Sequence, residues 1–292
     1  MRRRQFLALG GAAVLAGCGR AASPSSASAT TASTTASNAG SAAPTTPAPT
    51  TPPPTPGTAA EVLARSTVAA LCFHQIREHT AEDGEYARSI TTPPAVLTAQ
   101  LQALRDGGRT PVTAQAVVDH LEFGTPLPEK PVLLSFDDGS ETHHSVALPA
   151  LQALGFPAVF FPMTVVLDKP GWMSADQLRD LEAAGMTVGG HTWDHQRLDQ
   201  LPPDQWAVEL AEPKATLETI LGHPVDLMAY PYGAWNAEAA AQVAAAGFRA
   251  AWQLSDDTDP TTPLLTVRRL MPPPTWDGPT LLAKLDSEFV TP

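Results

Sequence analysis

From residue 66 onward the chain alternates between short continuous apolar runs and longer segments whose apolar residues recur three and four apart. The continuous runs, 67–73, 132–136, 157–161, 186–189, 227–230, 248–253 and 264–267, predict buried strands. Between them the helical period predicts a helix over 94–106, opened by Pro94 and stopped at Gly107-Gly108, and a short strand then a helix over 111–121. Further helices are expected over 140–154, 174–184, 204–221 with a kink at Pro213, 236–246 and 278–289. Strands that are apolar along their whole length have both faces covered, which implies a parallel α/β sheet packed by helices. Seven or eight such units in succession fit a (β/α)7-8 barrel forming a single domain, with an open doubly wound sheet as the alternative. No phosphate-binding glycine pattern follows the first strand, which argues against a nucleotide site.

The first sixty residues follow another logic. Arg2-Arg3-Arg4 precedes an apolar run from Phe6 to Ala16 and then Gly17-Cys18. A basic start, a short apolar stretch and a small-residue cleavage point describe an export signal, and the stretch is too short to span a bilayer comfortably. Arg3-Arg4-Gln5-Phe6-Leu7 resembles a twin-arginine signal, and Leu15-Ala16-Gly17-Cys18 resembles a bacterial lipobox. On that reading residues 1–18 are the signal and Cys18 carries a lipid anchor; an ordinary secretory signal with an incidental cysteine is the alternative. Residues 19–60 are Ala, Ser, Thr and Pro with almost no bulky apolar side chain, so they are expected to form a disordered tether with a root-mean-square reach of roughly 35 Å. The folded domain is expected over 61–292.

Net charge is −12, and Arg2, Arg3, Arg4 and Arg20 all lie at the start, so the body is more acidic still. Nucleic acid and anionic membrane surfaces are disfavoured partners, whereas a neutral or cationic polymer is compatible. No segment calls for an obligate protein partner. Besides Cys18 the chain has only Cys72, which lies in an apolar run and is expected to be a buried small hydrophobe without a disulfide.

Three polar clusters fall at the ends of expected strands, where parallel α/β folds collect their functional residues. Asp137-Asp138-Gly139 follows the 132–136 run, Gly190-His191-Thr192-Trp193-Asp194-His195 follows 186–189, and Tyr230-Pro231-Tyr232-Gly233 ends 227–230. Adjacent acids at a strand end point in different directions, so one can ligate a metal while the other acts as a base. Helix capping by Asp-Asp-Gly is the plainer alternative. His191 and His195, four apart, face the same way on one helical turn and can share a metal, with Asp138 or Asp137 as third ligand and an open position left for catalysis.

These clusters resemble the motifs of the polysaccharide deacetylase family, the NodB-homology carbohydrate esterase type. The family's Thr/Ser-Phe-Asp-Asp-Gly is matched by Ser135 to Gly139, and its His-Ser/Thr-x-x-His by His191 to His195. Its Arg-x-Pro-Tyr/Phe-Gly is matched at Pro231-Tyr232-Gly233, with Ala229 in place of the arginine. The resemblance covers about residues 66–270, and Leu71-Cys72-Phe73-His74-Gln75-Ile76 looks like the exported branch that deacetylates poly-N-acetylglucosamine of biofilms. It implies a distorted (β/α) barrel, with Asp138, His191 and His195 holding a divalent metal, usually zinc. Asp137 would be the general base and the Tyr232 backbone N–H would meet the oxyanion. A histidine would protonate the leaving amine of a polysaccharide substrate.

The family's Leu-x-His histidine has no counterpart here, because no histidine follows His223. His74, at the end of the first strand, neighbours the last strand of a closed barrel and is the expected acid, with His143 and His144 next in line as helix-surface residues. Arg268 or Arg269 is the candidate substitute for the missing arginine, against a plain surface role for each. Trp172, Trp193, Trp235 and Trp276 are expected in loops, as sugar-stacking surfaces or as half-buried packing residues. The leading expectation is hydrolysis of N-acetyl groups on an extracellular polymer. Peptidoglycan, chitin-type oligomers or acetylxylan are alternative substrates, and a tethered non-catalytic sugar-binding lipoprotein is the alternative of a different class.

Overall fold

The computed structural model describes residues 54–290. The expected export signal, the anchor cysteine Cys18 and nearly all of the expected tether lie outside the described residues. Helix α1, Ala59–Arg65, is capped by the Thr58 side chain with Glu61 reaching back, so regular structure extends into the last residues of the expected tether. Strand β1 is Ala69–Phe73 and is followed by α2, Glu85–Ile90, and α3, Pro94–Asp106. Next come β2, Thr110–Pro111, α4, Ala114–Phe123, and β3, Pro131–Asp138. The remainder runs α5, Leu148–Leu154; β4, Val159–Pro162; α6, Ala175–Ala183; β5, Thr187–Val188; α7, Glu212–Leu221; β6, Leu227–Ala229; α8, Ala237–Ala245; β7, Ala250–Trp252; and α9, Gly278–Glu288.

Every strand pairing is parallel. β1, β3, β4 and β5 are neighbours in that order, with β2 alongside the start of β3, and β6 pairs with β7 in a second sheet. Single-residue bridges carry the pairing on. Gly190 bridges to Met228 in β6, Trp252 in β7 bridges to Val267, and Leu270 bridges back to Leu71 in β1. Hydrogen bonds from the Leu270 amide to the Ala70 carbonyl and from the Cys72 amide to the Leu270 carbonyl, each 2.8 Å, complete the return. The expected barrel is thus present as two sheets joined by narrow bridges.

Alternation along the strands divides the core. Leu71, Phe73, Val132, Leu134, Phe136 and Phe160 pack outward with α3, α5, α6 and α9. Ala70, Leu133, Val159, Phe161, Ala229, Trp252 and Val267 point the other way, into the space that the strands enclose. At the C-terminal ends of the strands this inner face turns polar with Cys72, Ser135 and Asp137, all buried. The two carboxylates therefore belong to β3 itself, and the helix-capping alternative does not apply.

Several expected helices start late. The 140–154 segment opens with a π turn, His143–Ala147, ahead of α5. The 204–221 segment holds a second π turn, Ala207–Ala211, so Pro213 sits in the first turn of α7, where its missing N–H costs nothing, and does not kink a helix interior. The expected strand at 264–267 is a single 3-10 turn, Pro263–Leu265, followed by the bridging residues.

Gly189 lies at the join between β5 and β6. A Cβ there would stand 2.5 Å from the Phe161 ring and 2.7 Å from the Leu227 carbonyl oxygen. Gly189→Ala should therefore cost about 1–3 kcal/mol, the usual range for overpacking. A urea denaturation midpoint equal to the parent's would contradict the tight join.

Candidate active site

The β1–β3 register builds the first half of the site. Cys72 pairs with Ser135 and Phe73 with Phe136, so His74 emerges beside Asp137. One ligand-type atom from each of Cys72, His74 and Asp137 lies within 4.8 Å of the others. The Cys72 thiol donates to Asp137 Oδ2 at 3.3 Å and lies 3.9 Å from His74 Nδ1. Burial pushes that thiol well above the ordinary range, so it remains an S–H donor and not a thiolate ligand. The expectation of a plain buried hydrophobe is revised accordingly: Cys72 is buried, but its sulfur orients the carboxylate.

Arg269 approaches from the other side of β1 and is fully buried. Its Nη1 donates to Asp137 Oδ1 at 2.7 Å and to Ser135 Oγ at 3.0 Å, its Nη2 to Asp137 Oδ2 at 2.8 Å, and its Nε to the Gln253 carbonyl at 3.1 Å. Burial alone would raise the pKa of Asp137, but the Arg269 guanidinium and the nearby imidazoles hold it at about 2. Arg269 thus occupies the role left open by the missing arginine, and the surface alternative fails for it. Arg268 does lie at the surface, paired with Glu288 at 2.8 Å and stacked over Phe289.

Asp138 ends β3 in the left-handed region, with φ of 77°. Its Oδ1 lies 3.4 Å from His191 Nε2 and 3.2 Å from His195 Nε2. His191 Nδ1 donates to the Ala229 carbonyl at 2.8 Å, which leaves the Nε2 lone pair facing the carboxylate. Asp138 Oδ1 and His191 Nε2 are both buried with no hydrogen-bond partner. Two electron-rich atoms facing each other in a dry site fit a divalent cation between them. Burial would lower the pKa of His191, yet Asp138, Asp137 and the Ala229 carbonyl together outweigh it and raise it, so positive charge is favoured at this point. Burial would likewise raise Asp138, and the two imidazoles instead hold it well below the ordinary carboxylate range.

The two histidines do not share a helical turn, contrary to expectation. Thr192 and His195 adopt φ of 63° and 70°, and Thr192 Oγ1 accepts from the His195 amide at 3.1 Å. A tight loop brings the imidazole centroids to 4.9 Å. Glu209, in the π turn ahead of α7, supports this loop. Its Oε2 accepts from the amides of Trp193 and Asp194 at 3.1 and 3.3 Å. Only 2% of Glu209 is exposed, and burial pushes its carboxyl up to about 7. Sequence reading missed it; the one available signal was a lone acid inside the apolar segment Trp206-Ala207-Val208-Glu209-Leu210.

Tyr232 has φ of 60°, and its half-exposed ring meets His195 edge-on at 4.4 Å. Of the six non-glycine residues with positive φ among the described residues, Asp138, Thr192, His195 and Tyr232 belong to this site. Each costs on the order of 1–3 kcal/mol, and such strain is retained where geometry matters. His143 is not on a helix surface: it is buried against Phe136 and Phe160, and its Nε2 bonds the His74 carbonyl. His144 does lie toward the surface, 3.3 Å from Asp180. Of the four tryptophans only Trp193 is exposed, at 41%, whereas Trp235 and Trp276 are partly buried against the core.

The fold and the site together define a parallel α/β barrel domain whose mouth carries a paired buried carboxylate beside a two-histidine, one-carboxylate metal-type group. Residues 124–251 match the family described as "Polysaccharide deacetylase". It is 27% identical over 150 residues to YxkH of Bacillus subtilis, covering 51% of this chain and 54% of the relative. It is 33% identical over 101 residues to the poly-beta-1,6-N-acetyl-D-glucosamine N-deacetylase of Escherichia coli K12, covering 35% of this chain and 14% of that protein. The chain thus spans about half or less of the length of these curated relatives. The fold is shared with the Streptococcus pyogenes deacetylase PplD, solved with acetate, at a TM-score of 0.68 and 23% identity over 75% of this chain and 97% of that one.

Removing the guanidinium in Arg269→Met leaves a buried carboxylate unpaired, so stability should fall by about 3–5 kcal/mol, and adding Asp137→Asn should recover part of that loss. Asp137 is held at about 2 against an ordinary 3.8. Its contribution is therefore complete above 3.8 and is lost as pH falls toward 2. Urea denaturation across the acid range should show this slope in the parent and not in Arg269→Met. Equal stability of the two chains would remove the pair from the fold's energetics.

Proposed function

We propose that this domain hydrolyses N-acetyl groups on N-acetylglucosamine units of an extracellular or cell-wall polysaccharide, releasing acetate, with a poly-N-acetylglucosamine-like polymer as the favoured substrate. The observation that carries this reading is the juxtaposition of Asp137, locked by Arg269, with the facing Asp138, His191 and His195. The similarity to the Escherichia coli poly-beta-1,6-N-acetyl-D-glucosamine N-deacetylase supports the choice of polymer.

On this reading Asp138, His191 and His195 hold a divalent metal, with zinc suited to two nitrogens and a carboxylate. When bound, such an ion supplies Lewis acidity to the acetyl carbonyl and to water. Asp137 stays ionised because Arg269 binds both of its oxygens, and it accepts the proton of the attacking water. The thiol of Cys72 and the guanidinium fix the direction of its remaining lone pairs. His74, within 4.8 Å of Asp137, protonates the departing amine. Burial lowers its pKa, which makes its imidazolium a ready donor. The backbone N–H of Tyr232, held by the left-handed turn after Pro231, meets the acetyl oxygen. Products are a glucosamine unit and acetate.

The test is acetate release from N-acetylglucosamine oligomers, together with metal content. Chelation should abolish release and metal add-back restore it, and His191→Ala should lose bound metal. Asp137→Asn and His74→Ala should keep the metal and lose about 10²–10⁴-fold in rate. Retention of full rate by either of the last two would remove that residue from the mechanism.

The same reading places the domain outside the cell, anchored through Cys18, on the strength of the basic, apolar and small-residue succession of the first eighteen residues. Cys18→Ser should release the protein from the membrane fraction or leave an unprocessed precursor. A membrane-bound mature form of that variant would overturn the anchor.

A further inference from the structure

His143 is an unusual residue for the place it fills. It is fully buried, with its ring edge-on to Phe136 at 5.5 Å between centroids and tilted against Phe160 at 5.8 Å. In these apolar surroundings its side chain makes one hydrogen bond, Nε2 donating to the His74 carbonyl, and its Nδ1 is buried without a partner. A carbonyl can only accept, so the ring proton sits on Nε2 and Nδ1 keeps a bare lone pair. Burial holds the pKa of His143 down at about 4, so the ring is neutral. A leucine or phenylalanine would fill this space without leaving a nitrogen unpaired, and a buried group of that sort calls for a reason.

The reason lies in what the chain does after β1. The strand ends at Phe73, and alternation turns the Cys72 and His74 side chains inward, toward Asp137. Beyond that point the backbone is tied down peptide by peptide. The Gln75 amide donates to the Ile90 carbonyl at 3.2 Å, the Thr92 amide to the Gln75 carbonyl at 2.8 Å, and the Ile76 amide to Thr142 Oγ1 at 3.3 Å. The tie at the His74 carbonyl is the one that His143 supplies. A π turn, His143–Ala147, puts it there: one extra residue in the turn rotates His143 inward from the surface position that a regular helix over 140–154 would give it. His143 stands with Phe136 and Phe160 on the outer side of the sheet, whereas Asp137 lies on the inner face, so His143 acts through His74 and not on a reacting atom.

Resting on the deacetylase reading above, we propose that His143 is a positioning residue for the reaction: by holding the His74 carbonyl it sets the reach of the His74 imidazole toward the departing amine. An ångström of drift at such a group is enough to lose about a hundredfold in rate. The loss is selective. An amide needs its nitrogen protonated to leave, whereas an activated aryl acetate releases a stable phenolate without that help.

The test sets N-acetylglucosamine oligomers beside 4-nitrophenyl acetate, with the zinc-loaded parent, His143→Leu and His143→Gln. In His143→Leu, kcat on the oligomers should fall about 10–100-fold, while KM, bound metal and the rate on the aryl ester stay near the parent's. In His143→Gln, whose amide N–H stands in for Nε2–H, most of the loss should return. In protein carrying isotope-labelled histidine, the His74 ring resonances should shift in the leucine variant and return in the glutamine variant. A leucine variant that keeps the oligomer rate overturns the assignment, as does equal loss on both substrates or a glutamine variant no better than the leucine one. Should the leucine variant fold poorly, the parent decides: a His143 ring protonated on Nδ1 near neutral pH overturns the bond, and one protonated on Nε2 alone supports it. If the parent releases acetate from none of the oligomers, the deacetylase reading falls instead, and the His74 resonances still decide the positioning.

Discussion

A carboxylate and a guanidinium meet inside the barrel of this protein, both of them out of reach of solvent. Neither Asp137 nor Arg269 could be buried alone, because an isolated charge in such surroundings costs several kcal/mol. Each therefore dictates the other's place. The two-pronged contact fixes the rotation of the Asp137 carboxyl, Ser135 and the Gln253 carbonyl take two further guanidinium donors, and the Cys72 thiol adds a third contact to the acid. The segment that returns from β7 is held against β1 by the same pair, through the bridge one residue later at Leu270. The pair that sets the acid at the mouth thus also ties the returning segment to the sheet, beside the backbone bonds of Leu270.

Around that pair the chain accepts unfavourable backbone geometry. Asp138, Thr192, His195 and Tyr232 all take conformations that side chains with a Cβ avoid, and the other three each contact His195. Something must hold them there. For the histidine loop it is Glu209, whose single oxygen gathers two consecutive amides. A carboxylate placed inside the protein to steady a loop is a costly choice, and its raised pKa records the cost. The resulting imidazole geometry could not be obtained from a regular helical turn, which would place the two rings by its own pitch and not by the position of Asp138.

Much of this was readable in the chain because the strands are short and wholly apolar and the chemistry begins where they end. Asp137, Asp138, His191, His195 and Tyr232 follow directly from that rule, and His74 follows from the adjacency of first and last strands. The rest depended on pairing that periodicity does not encode. Arg269 is 132 residues from Asp137, and only the register of β1 against β3 on one side and Leu270 on the other brings them together. Glu209 was hidden because a π turn adds a residue to its segment and rotates the acid inward, where a continuous helix would have turned it elsewhere. Cys72 looked like ordinary filling because its run is apolar, and its role appears only once the carboxylate is seen beside it. The short α1 and α2 lack a strong apolar stripe: one residue of α1 is buried and none of α2.

The narrow joins between the two sheets fall where the reactive residues sit. His191 comes immediately after the bridge at Gly190, and Arg269 lies between the bridges at Val267 and Leu270. The barrel is therefore stitched at its weakest points by the groups that would do its chemistry. A descendant of this chain that kept the fold but abandoned catalysis could not simply let these positions drift. It would have to reseal both seams with side chains of matching shape and no charge, changing several residues in concert. Inheritance of the fold and inheritance of the reactive centre are in this way bound together, and the centre acts as a brake on its own loss.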